Sequence, residues 1–165
     1  MIIETILVII AVCIIGLIVN CFGVGDRKPK FDTISIREAM DLCNLPVVTF
    51  TNNGKKFNFL FDTGATESHI SESAIELMEF KESDSTLNVQ GFTGSAEACG
   101  AKIVELGYKE RKFPVELFVS SALDKAFAEI KQTLGVQIHG ILGNIFFRDY
   151  GYVCDFDKLI IYSKK

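Results

Sequence analysis

The stretch from Leu45 to Thr66 constrains the fold more than any other, because it runs as a hairpin into a single carboxylate. Leu45-Pro46-Val47-Val48-Thr49-Phe50-Thr51 reads as a strand. Asn52-Asn53-Gly54 reads as its turn, since Asn-Gly accepts the positive φ of a type I′ hairpin. Lys56 to Asp62 is the return strand, with Phe57, Phe59 and Phe61 alternating toward a core. Asp62 is thus a charge delivered to the end of a buried strand. Burying an unpaired carboxylate is expensive, so Asp62 must be hydrogen-bonded, share a proton, or stay in contact with water. Gly64 lets backbone N–H groups come close to it. Thr63 and Thr66 bring hydroxyls, and Ala65 keeps the loop small.

The rest of the chain reads as short strands and a few helices. Ile34 to Cys43 mixes charged and apolar residues and suits a strand or a helical turn. His69 and Ile70 form a brief strand, after which Ser71 or Ser73 can cap a short helix. Leu87 and Val89 alternate as a strand, Gly91-Phe92-Thr93-Gly94-Ser95 is a small-residue turn, and Ala101 to Leu106 returns. Phe113, Val115, Leu117 and Val119 alternate as a half-buried strand. Ser121 and Asp124 have nearly the spacing of a capping box. Leu123, Phe127, Ile130 and Leu134 then recur at helical spacing up to Gly135. Val153 to Tyr162 closes the chain as a hairpin.

The N-terminus is different in kind. Thr5 to Val24 carries no charge, and Ile6 to Val19 is almost wholly aliphatic. About 20 apolar residues cross a bilayer as a helix. All 17 Lys and Arg follow this segment, with Arg27, Lys28 and Lys30 directly behind it. The positive-inside rule therefore puts the C-terminal domain on the cytoplasmic side. A cleaved signal peptide and a lipoprotein attached at Cys21 are the rival readings. The first lacks a basic start and a small-residue cleavage site, and Asn20 is a poor neighbour for the second. The expected organisation is a transmembrane anchor over 1–25, a linker and lead-in over 26–44, and a globular domain over 45–165.

Charge and residue counts exclude several classes. A net charge of −4 supplies no basic stripe for nucleic acid. With two histidines and with Cys43, Cys99 and Cys154 scattered, no set has metal-ligand spacing, so no metal and no cofactor is expected. The thiols read as apolar core residues in a reducing compartment. His69 and His139 read as structural or surface residues, and Glu67 as solvated.

Phe61-Asp62-Thr63-Gly64-Ala65-Thr66 resembles the active-site signature of retroviral-type (retropepsin-like) aspartic proteases. Asp-Thr-Gly alone is weak evidence, but a second stretch stands in the right order. Gly140-Ile141-Leu142-Gly143 resembles the family's strand beside the catalytic loop, followed by a helix. Gly143 is expected to let this strand pass close to Asp62-Thr63-Gly64. Asn144 stands where viral members place Arg, and the nearest arginine is Arg148. The helix from Ser121 to Gly135 looks like an insertion beyond the compact viral pattern.

The resemblance covers roughly Leu45 to Tyr162. It implies an all-β half-barrel with short helices, here preceded by one transmembrane helix. It also implies an aspartic endopeptidase with Asp62 as the catalytic carboxylate, supported by Thr63, Gly64, Ala65 and Thr66. Gly91, Phe92, Thr93 and Gly94 would form a flap over the substrate, and Ile141, Leu142 and Gly143 the second signature strand. With one Asp-Thr-Gly per chain, the second carboxylate would come from another copy in a C2 homodimer. The partners are then a second copy, a peptide substrate and the membrane. A catalytically inactive, membrane-anchored dimerisation or peptide-binding module of the same fold is the alternative. An unrelated small all-β protein with a chance motif is the third reading.

Overall fold

The computed structural model describes residues 33–90 and 96–163. The expected anchor and the turn holding Gly91, Phe92, Thr93 and Gly94 lie outside the described residues. Among the described residues no helix is long and apolar enough to cross a membrane.

The hairpin that opens the domain forms as its turn chemistry dictates. Strands β2 (Val47–Asn52) and β3 (Lys55–Phe61) pair in antiparallel register, Val48 opposite Phe59 and Asn52 opposite Lys55. Asn53 and Gly54 take φ of 46° and 75°, the two positive values of a type I′ turn. The return strand begins at Lys55 and stops at Phe61, so Asp62 lies just past its end rather than on it.

Further along are β4 (His69–Ser71), helix α2 (Glu72–Ile75), the long β5 (Phe80–Gln90) and β6 (Ala96–Tyr108), and β7 (Arg111–Ser120). Then come helix α3 (Ala122–Leu134), β8 (Gly140–Leu142), helix α4 (Asn144–Tyr150), β9 (Tyr152–Asp155) and β10 (Ile160–Ser163). Seven strands form one sheet in the order β2-β3-β8-β4-β7-β6-β5. Its parallel pairs are β3 with β8 and β4 with β7. Thr51 on β2 also pairs with Gly107 on β6, which curls the sheet back on itself as a partly closed barrel.

The segment before the hairpin is both of the things its residues allow. Strand β1 (Thr33–Ser35) pairs with β10, and helix α1 (Arg37–Cys43) follows it. Ile34 and Ile36 are fully buried there. Strands β1, β10 and β9 make a second, three-stranded sheet.

Aromatic rings fill the core. Phe50, Phe59, Phe113 and Phe146 are wholly buried or nearly so. Phe50 meets Phe59 and Phe113 edge to face at 5.9 and 6.0 Å, and Phe146 stacks on Tyr152 at 5.9 Å. Each such pair adds about 0.5–1.5 kcal/mol beyond the area it buries. A smaller cluster of Val47, Phe127 and Ile138 seats α3 on the sheet, with Leu123 and Ile130 against it. Gly135 ends α3 at φ 72°.

Two expected helix caps do not form. Neither Ser71 nor Ser121 makes a side-chain cap bond. Asp124 instead accepts hydrogen bonds from the backbone N–H and hydroxyl of Ser73. A carboxylate at the start of α3 thus satisfies an N–H at the start of α2, so one side chain ties two helix beginnings together.

Candidate active site

The loop after β3 is held from behind by β8 and α4. Register places Phe61 beside Leu142, and the Asp62 N–H donates to the Leu142 carbonyl at 3.0 Å. The chain then turns tightly, with the Ala65 N–H donating to the Asp62 carbonyl at 3.2 Å. Asp62 is half-buried, and its Oδ1 accepts the Gly64 N–H at 2.8 Å. Thr63, Gly64 and Thr66 are exposed, so the loop presents its carboxylate toward solvent. Ala65 is half-buried, and its carbonyl accepts the Asn144 N–H at 2.8 Å. The Thr66 carbonyl accepts the Ile145 N–H at 3.1 Å. Two otherwise orphaned donors at the start of α4 are thereby used to fasten the loop.

Ile141 and Leu142 lie on β8 and Gly143 directly after it, and this stretch passes close to Asp62 and Thr63 as expected, with the Leu142 carbonyl accepting the Asp62 N–H and Asn144 bonded to the Thr63 carbonyl. A Cβ on Gly143 would overlap the Glu67 carbonyl oxygen and stand 2.8 Å from that of Ala65. Gly143 itself also abuts the far half of the loop. The parallel register accounts for this, because Leu142 already uses its carbonyl on Asp62 and the next residue falls further along the loop.

Two residues escaped the reading of the sequence. The Asn144 side chain donates to the Thr63 carbonyl at 2.7 Å, and the buried Ser68 hydroxyl accepts the Gly143 N–H at 3.1 Å. Asn144 was marked only as the position lacking the viral Arg, and that departure was the signal. Nothing in the sequence marked Ser68. Glu67 is half-buried, with its backbone carbonyl against Gly143.

The histidines are structural. The His139 Nδ1 accepts the Asn58 N–H at 2.9 Å, and its ring meets Phe57 edge to face. His69 lies against Phe118. Burial pushes both imidazoles below their ordinary value. Burial also pushes the Cys154 thiol up to about 11, which keeps it protonated and unreactive at neutral pH. Cys43, Cys99 and Cys154 are free thiols, the first two buried. Among the described residues no group of His, Cys, Asp and Glu is placed to hold a metal ion.

This arrangement is a single carboxylate, fixed by a backbone N–H at the tip of a braced small-residue loop. The family model described as Aspartyl protease matches residues 48–146, more than half of the chain and both signature stretches. The chain belongs to the aspartyl protease family.

Among solved structures, the chain is similar to the EIAV protease complexed with the inhibitor HBY-793. The two share 18% identity over 65% of this chain and 88% of that one, with a TM-score of 0.46. It is also similar to a retropepsin-like aspartic protease from Rickettsia conorii. There the identity is 15% over 81% of this chain and 95% of that one, again with a TM-score of 0.46. No curated protein matches the chain.

Proposed function

We propose that the chain is an aspartic endopeptidase that works as a homodimer, with one Asp62 from each copy. The observation that carries this reading is the Asp62 carboxylate held at 2.8 Å by the Gly64 N–H, on a loop whose Thr63, Gly64 and Thr66 are exposed. One chain supplies one such loop, because its sequence contains a single Asp-Thr-Gly. Two copies related by a two-fold axis through these loops bring the two carboxylates together.

Two carboxylates that close cannot both ionise, so the pair shares one proton. The ionised Asp62 takes a proton from water as the oxygen attacks the scissile carbonyl. The protonated Asp62 donates its hydrogen bond to the carbonyl oxygen, which becomes the hydroxyl of the tetrahedral intermediate. Return of a proton to the departing nitrogen then breaks the C–N bond. Thr63 stiffens the paired loops across the axis, and Ala65 and Thr66 complete the turn. Residues 91–95, which connect β5 to β6, would act as a flap over an extended peptide, with Gly91 and Gly94 giving it freedom to move. The uncharged run Thr5–Val24 would anchor the chain, with the domain on the cytoplasmic side by its flanking charges. Tethering also raises local concentration and favours the dimer.

Subunit mixing tests the shared site. Wild-type chain is exchanged with the Asp62→Asn variant at equal amounts and fixed total protein. If each active site needs both carboxylates, activity falls to roughly a quarter of the all-wild-type value, because a quarter of the dimers carry two intact copies. A fall to one half would contradict a shared site.

A further inference from the structure

Strand β3 and the residue after it turn alternate N–H groups toward β8, and the two ends of this row are met differently. At the far end the Asp62 N–H donates to the Leu142 carbonyl at 3.0 Å, while the Phe61 N–H faces the other way, onto the Pro46 carbonyl. At the near end the Asn58 N–H finds no carbonyl of β8, which begins only at Gly140, opposite Phe59. It donates instead to His139 Nδ1 at 2.9 Å. The His139 N–H donates back to the Asn58 carbonyl, also at 2.9 Å, and the His139 carbonyl accepts the Ser71 N–H of β4 at 3.0 Å. The Asn58 side chain donates from Nδ2 to the Gln137 carbonyl at 2.8 Å and accepts the Thr49 hydroxyl at 2.7 Å. An imidazole thus completes a pairing that β8, a strand of three residues, is too short to make.

This contact fixes the tautomer. A backbone N–H can only donate, so Nδ1 is bare and the ring proton sits on Nε2. A second proton on Nδ1 sets donor against donor and strands the Asn58 N–H. His139 is half-buried, and burial pushes its pKa below the ordinary value. The Asn58 backbone pulls the other way, but its carbonyl already accepts the His139 N–H. Lys131 of α3, the charged group acting on the ring, adds to the lowering. Phe57 of β3 and Ser71 of β4, which also touch His139, do not titrate.

We propose that His139 is a pH-sensitive latch that seats β8 against β3 and so positions the loop carrying Asp62. The inference rests on the protease reading for its bearing on turnover, but not for the latch itself. The neutral ring holds the Asn58 N–H, and the protonated ring lets it go. The two pins of β8 on this side, His139 on Asn58 and Leu142 on Asp62, are three residues apart, so release of one loosens the other. With the folded pKa below that of the open form, the latch holds fully above about pH 6.5 and gives way as the pH falls toward the lowered value. His139 is therefore a positioning residue that acts on Asp62 through β8.

The test is amide hydrogen exchange in the full-length chain in detergent, read as protection of the Asn58 and Asp62 N–H groups between about pH 7.5 and 5.5. In the wild type both should lose protection together, by up to about tenfold over this range. His139→Asn puts an oxygen where Nδ1 stood, an acceptor that takes up no proton, and protection of both amides should then stay constant. Nitrogen NMR shifts of the wild-type imidazole, followed in the same samples, need no variant. They should show the proton on Nε2 above the transition and a midpoint that coincides with the loss at Asp62. Exchange is measured without turnover, so its outcome is separate from whether the chain cleaves peptides. Loss at Asn58 with protection of Asp62 unchanged overturns the inference, because the latch then does not reach the loop. Loss at Asp62 that persists in His139→Asn, or whose midpoint differs from that of the ring, also overturns it.

Discussion

At the residue scale, Gly143 and Asn144 hold the Asp62 loop in shape. A methyl at 143 would press on two backbone carbonyls, which cannot swing aside as a side-chain end would. Gly143→Ala is expected to lower the unfolding free energy by about 1–3 kcal/mol or more, as overpacking does. Urea titration measures this, and an unchanged midpoint would show that the crossing is looser than described. Asn144→Ala removes the Nδ2 bond to Thr63 and should lower stability by only about 1 kcal/mol. Its larger effect should fall on kcat for peptide cleavage, because the loop carrying Asp62 loses a brace. A change in KM alone would place Asn144 outside the loop's support. Asp62 and its small neighbours were legible because Asp, Thr and Gly at adjacent positions are local chemistry. The partner of Asn144 was not, since Thr63 lies 81 residues away and only the fold joins them.

Elements differ in how much local pattern specifies them. The β2–β3 hairpin was legible because Asn53 and Gly54 satisfy the positive φ of the turn without help from elsewhere. The alternation of Phe113, Val115 and Leu117 holds in β7 and breaks at Phe118, which is buried while Val119 is half-buried. Helix α3 follows its apolar spacing, although Leu134 is largely exposed at its end. The caps differ from their spacing because Ser71 and Ser121 have the right residue type but make no side-chain cap bond, while Asp124 serves another helix. Asp124→Ala should therefore loosen α2 as well as α3, by about 1 kcal/mol in total. Hydrogen exchange would show faster exchange at Ser73, and protection unchanged at Ser73 would contradict the link. Pairing of β1 with β10 was out of reach, because strands so far apart in sequence declare no partner by pattern alone. Helix α4 turns on Phe146, which contacts Phe50, Phe61, Phe113 and Tyr152. Phe146→Ala is expected to cost about 3–5 kcal/mol by urea unfolding, the usual range for a buried aromatic.

At the largest scale, the barrel is a scaffold that places an acid just past the end of β3 and braces its loop from behind. Its stability should depend on pH through the two histidines. Burial lowers both of their pKa values, and protonation of His139 also removes the acceptor used by the Asn58 N–H. The unfolded chain takes up these protons near pH 6.5, where the folded chain does not. Stability is therefore full above about pH 6.5 and falls as the pH drops toward the lowered folded values. The slope of urea midpoint against pH between 7.5 and 5.5 should flatten in a His69→Gln, His139→Gln variant, and an equal slope would remove the histidines from this role. On the proposed reading one chain carries half of a catalytic site, which makes the paired Asp62 the central claim. The measurement that meets it most directly is cleavage of a peptide library by the full-length chain from acidic to neutral pH, beside Asp62→Asn. Loss of cleavage by roughly a thousandfold or more in the variant, with its fold retained, is the predicted result. Undiminished turnover by Asp62→Asn would contradict it.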